Sequence, residues 1–381
     1  MQRITASLLS LSLGVVLSFC SYYSANACTN FSFLTGTNTA FHAQNYDWEV
    51  GNGVLVYNPP RIQKKGLGKE PPTWTSQYPS LTFNQYGLEF PVGGMNSQGV
   101  TIGVMWLAET TYPDADPERP SIEPLQWVQY QLDNAGSVAE AVELAETLTV
   151  RPIFGAQIAI HFLLSDSTGD SAVVEFIAGK QIIYHGETLI TSVLTNTPYD
   201  RCVNSLADYS SFGGKQPSPA SYGSIERFIQ MSEAVEAKAK IIEESVATEQ
   251  AFRSLKQVSD EFRTVWSIVY NQKTKTINFI TVDNQNVRTV SFSDFSEVNC
   301  SARALAVDLN APLQGDIRSY FRPYEKNWNV EVARKSFAKT PHTMLMPADL
   351  VKGLANFPYD FTCDSLSKQV QSSTSLGGIL N

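Results

Sequence analysis

The fold is decided by the stretch CTNFSFLTGTNTAFHAQNYDW, residues 28–48. Its first seven residues, 28–34, alternate polar and apolar side chains, which is the pattern of a β-strand. Residues 35–38 (TGTN) have the composition of a tight turn, and residues 39–48 return as a second strand. The sequence therefore predicts an antiparallel β-hairpin that begins at Cys28.

The register of this hairpin decides which side chains meet Cys28. With Leu34 opposite Thr39, Cys28 lies opposite Asn45. The same register brings two further side chains within about two residues of the cysteine, at Cα separations on the order of 5–8 Å: Gln44 and Asp47. A slip of one residue would exchange the faces on which these side chains lie.

Residues 1–27 have the layout of a secretory signal peptide. Arg3 gives a positive start, residues 8–19 are mainly apolar, and residues 25–27 (ANA) fit an A-x-A cleavage site. Cleavage there makes Cys28 the first residue of a mature protein that is periplasmic or secreted. No later stretch approaches the roughly 20 apolar residues that a membrane span requires, so we expect no stable membrane span.

A lipid-anchored protein stays an alternative, because a cysteine follows this signal. Lipoprotein signals favour an aliphatic residue three positions before the modified cysteine and a small residue just before it. Ala25 fails the first requirement for Cys28, and Phe19 fails the second for Cys20. Acylation of Cys28 would leave it without a free α-amine.

The composition fits a globular protein and excludes one class of partner. The 381 residues are 43% hydrophobic and 17% charged, which allows a large core and gives no sign of disorder. The formal net charge is −9, whereas a nucleic-acid-binding protein needs a basic face. We therefore expect no nucleic-acid partner.

A cysteine at a mature N-terminus carries its own general base. The reference pKa of an α-amine is about 7.7–8.0 and that of a thiol about 8.5, so the amine can accept the thiol proton near neutral pH. It can later donate a proton to a departing amine, and no histidine is required. The chain has four histidines and lacks the G-x-S-x-G and H-E-x-x-H patterns. Asp47 is placed to hydrogen-bond and orient the ammonium.

The remaining cysteines allow at most one disulfide. With Cys20 in the signal and Cys28 kept free, three of the five cysteines remain: Cys202, Cys300 and Cys363. Among the possible pairs we favour Cys300–Cys363. Each of the three could also be a buried free thiol.

The rest of the chain predicts one domain, residues 28–363, followed by a polar, flexible tail over residues 364–381. Residues 59–79 are predicted to form an exposed loop, and residues 93–96 a turn between strands. Apolar periodicity predicts helices from Pro124, from Ser137 with Glu140 in capping-box spacing, over 224–244 and over 248–258, and strands over 157–164, 172–177, 181–184, 188–195, 263–270, 276–282 and 287–292. This order fits two sheets between helical layers.

Five motifs in this order give the chain a family resemblance. They are Cys28, Asn45-Tyr46-Asp47-Trp48, Gly94-Met95-Asn96-Ser97-Gln98-Gly99, Leu194-Thr195-Asn196-Thr197-Pro198 and Glu226-Arg227-Phe228. With these residues, the chain resembles the choloylglycine hydrolase family of linear amide hydrolases, which includes conjugated bile acid hydrolases and penicillin V acylases. The resemblance covers most of residues 28–295. It implies an α+β fold of the Ntn-hydrolase type, a four-layer αββα sandwich of two antiparallel sheets between helical layers.

The resemblance also implies roles for the matched residues. Cys28 would be the nucleophile with its amine as the base, Asp47 would orient that amine, and Arg227 falls on the family's active-site arginine. Asn196 falls where a side-chain amide helps to bind the oxyanion, and Trp106 where a backbone N–H completes the oxyanion hole.

The clearest departure is Gln44, where bile acid and penicillin enzymes typically have an arginine. A glutamine brings no positive charge, so it cannot depress the thiol pKa in the same way. We expect Gln44, Asn45 and Trp48 to contribute to substrate binding.

The sequence therefore predicts an exported amidohydrolase that cleaves a linear, non-peptide amide through a thioester, without metal or cofactor. Its expected partner is a small-molecule amide, such as a bile salt, penicillin V or another N-acyl amide. The resemblance also indicates a homo-oligomer, a dimer or a tetramer. Two alternatives stay open: a non-catalytic exported binding protein of the same fold, and a lipoprotein anchored through Cys28.

Overall fold

The computed structural model describes residues 28–152, 158–238 and 243–364. Within these ranges the strands are β1 (Thr29–Leu34), β2 (Ala40–Asp47), β3 (Val54–Asn58), β4 (Ile62–Lys65), β5 (Thr73–Thr75), β6 (Ser80–Asn84), β7 (Pro91–Asn96), β8 (Thr101–Trp106), β9 (Ser121–Ile122), β10 (Thr149–Val150), β11 (Ile160–Ser165), β12 (Ser171–Ile177), β13 (Lys180–His185), β14 (Val193–Leu194), β15 (Thr264–Asn271), β16 (Thr276–Thr281), β17 (Asn284–Ser291), β18 (Leu305–Asp308), β19 (Gly315–Asp316), β20 (Arg322–Pro323) and β21 (Thr362–Cys363). The α-helices are α1 (Pro124–Asn134), α2 (Val138–Ala145), α3 (Tyr199–Leu206), α4 (Ser224–Lys238), α5 (Glu244–Gln257), α6 (Lys326–Lys339) and α7 (Ala348–Asn356).

Two large sheets form the centre of the protein. The strand order is β14-β1-β2-β15-β16-β17-β19 in the first sheet and β13-β12-β11-β8-β7-β6-β3-β18-β20 in the second. Pairing within both sheets is antiparallel except between β17 and β19. Two smaller sheets join β4 to β5 and β21, and β9 to β10.

Apolar side chains join these sheets to each other and to the helices. Trp266 of the first sheet meets Phe83 of the second with ring centroids 6.1 Å apart, and Trp127 of α1 packs on Phe162 at 4.6 Å. A second apolar cluster joins β1 to helices α4 and α5. Each large side chain buried in this way contributes roughly 1.5–3 kcal/mol. The predicted α+β fold, with two antiparallel sheets between helical layers, is confirmed.

The hairpin of residues 28–48 forms, but its register differs from the prediction by one residue. Leu34 pairs with Ala40 and not with Thr39. The turn is one residue longer than predicted, because Thr35 N–H donates to the Thr39 carbonyl at 3.0 Å and Thr39 N–H donates to Thr35 Oγ1 at 3.1 Å. The predicted pairing was therefore wrong. Residues predicted to pair directly, and so to share a face of the sheet, lie on opposite faces of it.

Two segments predicted as a loop and a turn contain strands. Residues 59–79 include β4 and β5 and are partly buried, so the exposed loop was wrong. The buried ammonium of Lys64 is held there by Glu89 at 2.8 Å and Asp133 at 2.9 Å, which offsets its desolvation. Residues 93–96 belong to β7, and the turn follows that strand.

Most other predicted elements are confirmed with shifted ends. α2 begins after Ser137, whose hydroxyl accepts the Glu140 N–H at 3.2 Å, as the capping pattern predicts. The strand predicted over 188–195 is only β14 in the structure. Thr188, the first residue of the predicted strand, ends a 3₁₀ turn. Some predictions fall on residues outside the described ranges: the signal peptide 1–27, the start of strand 157–164, residues 239–242 of helix 224–244, and the tail after residue 364.

The chain after residue 304 adds a helical hairpin that the sequence analysis did not predict. We call residues 326–356, with α6, α7 and their connection, the C-terminal hairpin. The predicted Cys300–Cys363 disulfide is present, with Cα atoms 5.3 Å apart. Across the described ranges, no helix is both long and apolar enough to cross a membrane.

Candidate active site

Cys28 directly precedes β1 and is 1% exposed. The Asp47 N–H donates to its Sγ at 3.4 Å, and the thiol donates to the Asp47 carbonyl at 3.5 Å. The antiparallel pairing of β1 with β2 therefore holds the sulfur against a residue nineteen positions further along the chain.

The environment of Cys28 disfavours the thiolate. Burial, followed by the charge of Asp47, raises the pKa of the Cys28 thiol from 9.0 to about 12. The backbone amides of Asp47 and Trp106 and the charge of Arg227 lower the same pKa. Of these two amides, that of Asp47 donates to Sγ, and Trp106 lies with Cys28 in the wall of one cavity. With its nitrogen still in a peptide bond, Cys28 holds a protonated thiol at neutral pH.

Asp47 presents a fully buried carboxyl group beside Cys28. Burial raises its pKa from 3.8 to about 7, although the Thr264 hydroxyl and the charge of Arg227 lower it. Neither carboxylate oxygen has a partner of ordinary hydrogen-bond geometry among the described residues. A cation beside it would stabilise this carboxylate, because the carboxylate is buried and lacks a hydrogen-bond donor of ordinary geometry.

Arg227 of α4 connects the pieces of this site. Its Nη2 donates to Asn196 Oδ1 at 2.8 Å and to the Cys28 carbonyl at 3.3 Å. Its other nitrogens donate to the Tyr222 carbonyl at 2.8 Å and to Thr29 Oγ1 at 3.2 Å. Burial lowers the pKa of the guanidinium. These bonds fix the planar guanidinium, so Arg227 positions both the backbone of Cys28 and the Asn196 amide.

Asn196 and Trp106 lie together at the ends of β14 and β8. Asn196 Nδ2 donates to the Trp106 carbonyl at 2.8 Å, while its Oδ1 accepts from Arg227. A side-chain amide nitrogen carries two hydrogens, so one N–H is left for another acceptor. The structure thus brings together all five residues for which the sequence predicts catalytic roles: Cys28, Asp47, Trp106, Asn196 and Arg227.

Two of the three predicted substrate-binding residues lie away from the cavity wall. Gln44 is buried between the sheets, where Nε2 donates to two carbonyls of the second sheet at 3.2 and 3.5 Å. The Asn45 amide donates to the Leu255 carbonyl and accepts from the Ser267 hydroxyl, both at 2.7 Å. Asn45 therefore ties β2 to α5 and β15. Any role of these residues toward substrate is indirect in this geometry.

Trp48, the third, lines an apolar cavity that opens beside Cys28. Its Nε1 donates to the Tyr86 hydroxyl at 2.7 Å. The space open to the centre of a water-sized sphere is about 80 Å³, and all the empty space between the lining atoms, open solvent included, is about 910 Å³. Its lining is almost wholly apolar or aromatic: Cys28, Tyr46, Trp48, Leu67, Tyr86, Phe90, Val92, Val104, Met105, Trp106, Glu123, Leu125, Ile158, Ile160, Phe337, Thr340, His342, Thr343, Met346 and Leu354.

The part of this wall that comes from the C-terminal hairpin was not predicted from the sequence. His342 stacks on Trp106 with ring centroids 4.7 Å apart, and Phe337 meets Tyr86 edge-on at 5.2 Å. The hairpin matched no motif, and its apolar residues pattern like those of any packed helix. Only tertiary structure shows that they face the cavity.

The other histidines serve packing or pairing in the described chain. His161 bonds Glu175 at 2.8 Å in the interior, His185 bonds Asp170 at 2.9 Å, and His42 bonds a serine hydroxyl at 2.8 Å. Over the described ranges, no group of three or more potential metal-ligating side chains is present.

Comparison with known proteins gives a family match that begins at the same cysteine. The family described as linear amide C-N hydrolases, choloylglycine hydrolase family, matches residues 28–304. A penicillin V acylase from Pectobacterium atrosepticum is 32% identical over an alignment of 243 positions that covers 59% of this chain and 62% of that protein. The aligned part thus spans less than two thirds of this relative's length.

Solved structures agree with this match. The penicillin V acylase from Agrobacterium tumefaciens superposes with a TM-score of 0.68 at 27% identity, covering 78% of this chain and 98% of that one. A conjugated bile acid hydrolase from Clostridium perfringens shares the fold, with a TM-score of 0.60 at 18% identity over 76% of this chain and 98% of the other. By sequence and by fold, this chain belongs to the choloylglycine hydrolase family of linear amide C–N hydrolases.

Proposed function

We propose that this protein is an exported N-terminal cysteine amidohydrolase, released by cleavage between Ala27 and Cys28, that hydrolyses a linear N-acyl amide through a thioester. The observation that carries the proposal is the convergence of the Cys28 sulfur, the Asp47 amide that donates to it, Trp106 and an Arg227–Asn196 pair at the wall of an apolar cavity. Penicillin V acylase relatives support an amide substrate. Residues 28–363 act as one domain in this proposal.

Removal of residues 1–27 supplies the missing base. The new α-amine of Cys28 is a cation near the Asp47 carboxylate when protonated, and it lowers the pKa of both the carboxyl and the thiol. This reverses the effect that burial has in the uncleaved chain. Neutral amine then accepts the thiol proton, with Asp47 holding the resulting ammonium.

Acyl transfer follows from this arrangement. The Cys28 sulfur bonds to the amide carbonyl carbon, and the carbonyl oxygen becomes an oxyanion held by the Trp106 backbone N–H and the second Asn196 N–H. The C–N bond breaks as the α-ammonium passes its proton to the leaving amine. Water, deprotonated by the same amine, then attacks the thioester, and the carboxylic acid leaves while Cys28 regains its proton. Each oxyanion donor is worth about 2.7–4 kcal/mol in the transition state.

One observation favours a second candidate, a binding protein of the same fold with little turnover. Position 44 holds a neutral glutamine, and the buried thiol has a pKa of about 12 in the uncleaved chain. If cleavage does not lower that pKa, Cys28 stays unreactive. A lipoprotein acylated on Cys28 is excluded or established by the mass of the mature protein.

The test begins with the mature N-terminus. We expect N-terminal sequencing and intact mass of the protein recovered from the periplasm or medium to show an unmodified chain that starts at Cys28. A panel of a conjugated bile salt, penicillin V and an N-acyl homoserine lactone should then acylate the wild type and not Cys28→Ala. Turnover by Cys28→Ala would refute the proposed chemistry, and a mature wild type that none of the amides acylates would favour the binding protein. Sedimentation analysis would test the expected dimer or tetramer.

A further inference from the structure

The C-terminal hairpin closes one side of the cavity, although it lies after residue 304, where the family match ends. Its contributions to the lining are Phe337, Thr340, His342, Thr343, Met346 and Leu354. The nucleophile and its oxyanion donors, in contrast, all come from residues before 228.

The hairpin is bound firmly to the sheets. Thr340 Oγ1 shares a hydrogen bond with the Tyr86 hydroxyl at 2.9 Å, and Trp48 Nε1 donates to the same oxygen at 3.4 Å. At the other end of α6, Asn329 is fully buried and accepts the Leu88 N–H at 2.8 Å. A wall held at both ends by buried hydrogen bonds has a fixed position relative to Cys28.

The chemistry of the lining selects the acyl part of the substrate. No lysine or arginine contributes to it, and its polar or ionisable members are Glu123, Thr340, His342 and Thr343. Thr340 uses its hydroxyl on Tyr86 and the Ser336 carbonyl. An anionic acyl group would lose its hydration there without a lysine or arginine to pair it. An uncharged chain or ring gains by leaving water, about 0.8 kcal/mol per buried methylene or close to fourfold in binding.

We propose that the C-terminal hairpin determines acyl specificity, with Phe337 and Met346 setting how long an uncharged, apolar acyl group can be. This inference rests on the proposed amidase function and names the residues that choose its substrate. An acyl group attached to Cys28 extends along the cavity until it meets this wall. Truncating a side chain of this wall should make a longer acyl group the preferred substrate, and enlarging one should make a shorter acyl group the preferred substrate.

The experiment uses the mature full-length enzyme and p-nitroanilides of butanoic, hexanoic, octanoic, decanoic and dodecanoic acids. We expect Phe337→Ala to move the optimum of kcat/KM to a longer chain and Met346→Trp to move it to a shorter one. Each methylene that gains or loses contact with the wall should change relative kcat/KM about fourfold. kcat for the butanoyl substrate, which has the shortest acyl chain of the series, should change less than kcat for the longer substrates does.

Leu345→Ala is the matched control, because Leu345 lies in the same connection but is 89% exposed and does not line the cavity. Its chain-length profile should equal that of the wild type. Partial unfolding would lower all rates in both wall variants and would not move the optimum in opposite directions. An unchanged optimum, or a shift in the same direction in both variants, would overturn the inference.

A second readout separates this inference from the proposed function. Binding of the corresponding free fatty acids to the Cys28→Ala variant can be followed by the fluorescence of Trp48 and Trp106, which line the cavity. If the wild type hydrolyses no anilide but the affinity optimum still moves oppositely in the two wall variants, the function fails and the hairpin assignment stands. If hydrolysis occurs and neither profile moves, the assignment fails alone.

Discussion

Replacing Asn196 by alanine gives the sharpest test of the proposed site. In the structure its Nδ2 donates to the Trp106 carbonyl and its Oδ1 accepts from Arg227, each at 2.8 Å. These two bonds hold the amide so that its remaining N–H can meet an oxyanion on the acyl carbon. Alanine removes that donor and also takes one acceptor from the buried guanidinium of Arg227.

The two losses have different sizes and different readouts. Losing one oxyanion donor should raise the barrier by about 2.7–4 kcal/mol, which lowers kcat about a hundredfold to a thousandfold. Losing a hydrogen bond to a charged group should lower the free energy of unfolding by about 1.5–3 kcal/mol. The first is measured by single-turnover acylation with a penicillin V or N-acyl amide substrate, and the second by urea unfolding.

Asn196→Asp separates them. The aspartate keeps an acceptor for Arg227, so we expect it to lose less stability than Asn196→Ala does. It has no N–H for the Trp106 carbonyl or for the oxyanion, and it adds a negative charge near Cys28. Its acylation rate should fall at least as far as that of Asn196→Ala. If Asn196→Ala is less stable than the wild type but its acylation rate falls less than tenfold, Asn196 only supports Arg227. The oxyanion assignment is then refuted.

Three further predictions concern stability. Cys300→Ser should lower the free energy of unfolding by about 4 kcal/mol, because the disulfide closes a sequence separation of 63 residues; an equal midpoint in urea for variant and wild type would contradict this. Lys64→Met should cost about 3–5 kcal/mol, because it leaves Glu89 buried without its cation, whereas the exposed control Lys335→Met should change stability by less than about 1 kcal/mol. The uncleaved chain should lose stability as pH rises from 3.8 to about 7, since the folded state holds the Asp47 proton more tightly than the unfolded state does. In Asp47→Asn, the fall in the free energy of unfolding over this pH range should be smaller by on the order of 4 kcal/mol. The same dependence on pH in Asp47→Asn and in the uncleaved wild type would argue against the raised pKa.

The local sequence carried enough information to predict that Cys28 and Asp47 lie together. Cys28 and Asp47 lie on one hairpin, so strand alternation and a short turn bring them together without knowledge of the rest of the fold. The register error came from a single turn residue, Thr39, whose backbone hydrogen bonds to Thr35 extend the turn. Turn length is set by such specific bonds, which composition does not distinguish.

The cavity could not be predicted in the same way. Phe337 and His342 come within reach of Tyr86 and Trp106 only because the chain returns across the second sheet more than 200 residues later. Their side chains look like ordinary core residues, since burying an apolar face and lining a cavity require the same residue types. Asn45 illustrates the reverse case, because its place in a matched motif hid a structural role toward Leu255.

The departure at position 44 bears on how the thiol is activated. Gln44 is 1% exposed, its Nε2 donates to the Val92 and Val104 carbonyls, and a Cβ on Gly93 would come within 2.6 Å of its Oε1. An arginine would bring a longer side chain and a buried charge into this filled space, at the expense of close packing and hydration. Among the described residues, the cation that lowers the thiol pKa of Cys28 is Arg227, and that pKa stays at about 12. The proposed mechanism therefore requires the free α-amine that cleavage after Ala27 would supply, and chemical blocking of that amine should abolish the reactivity of Cys28.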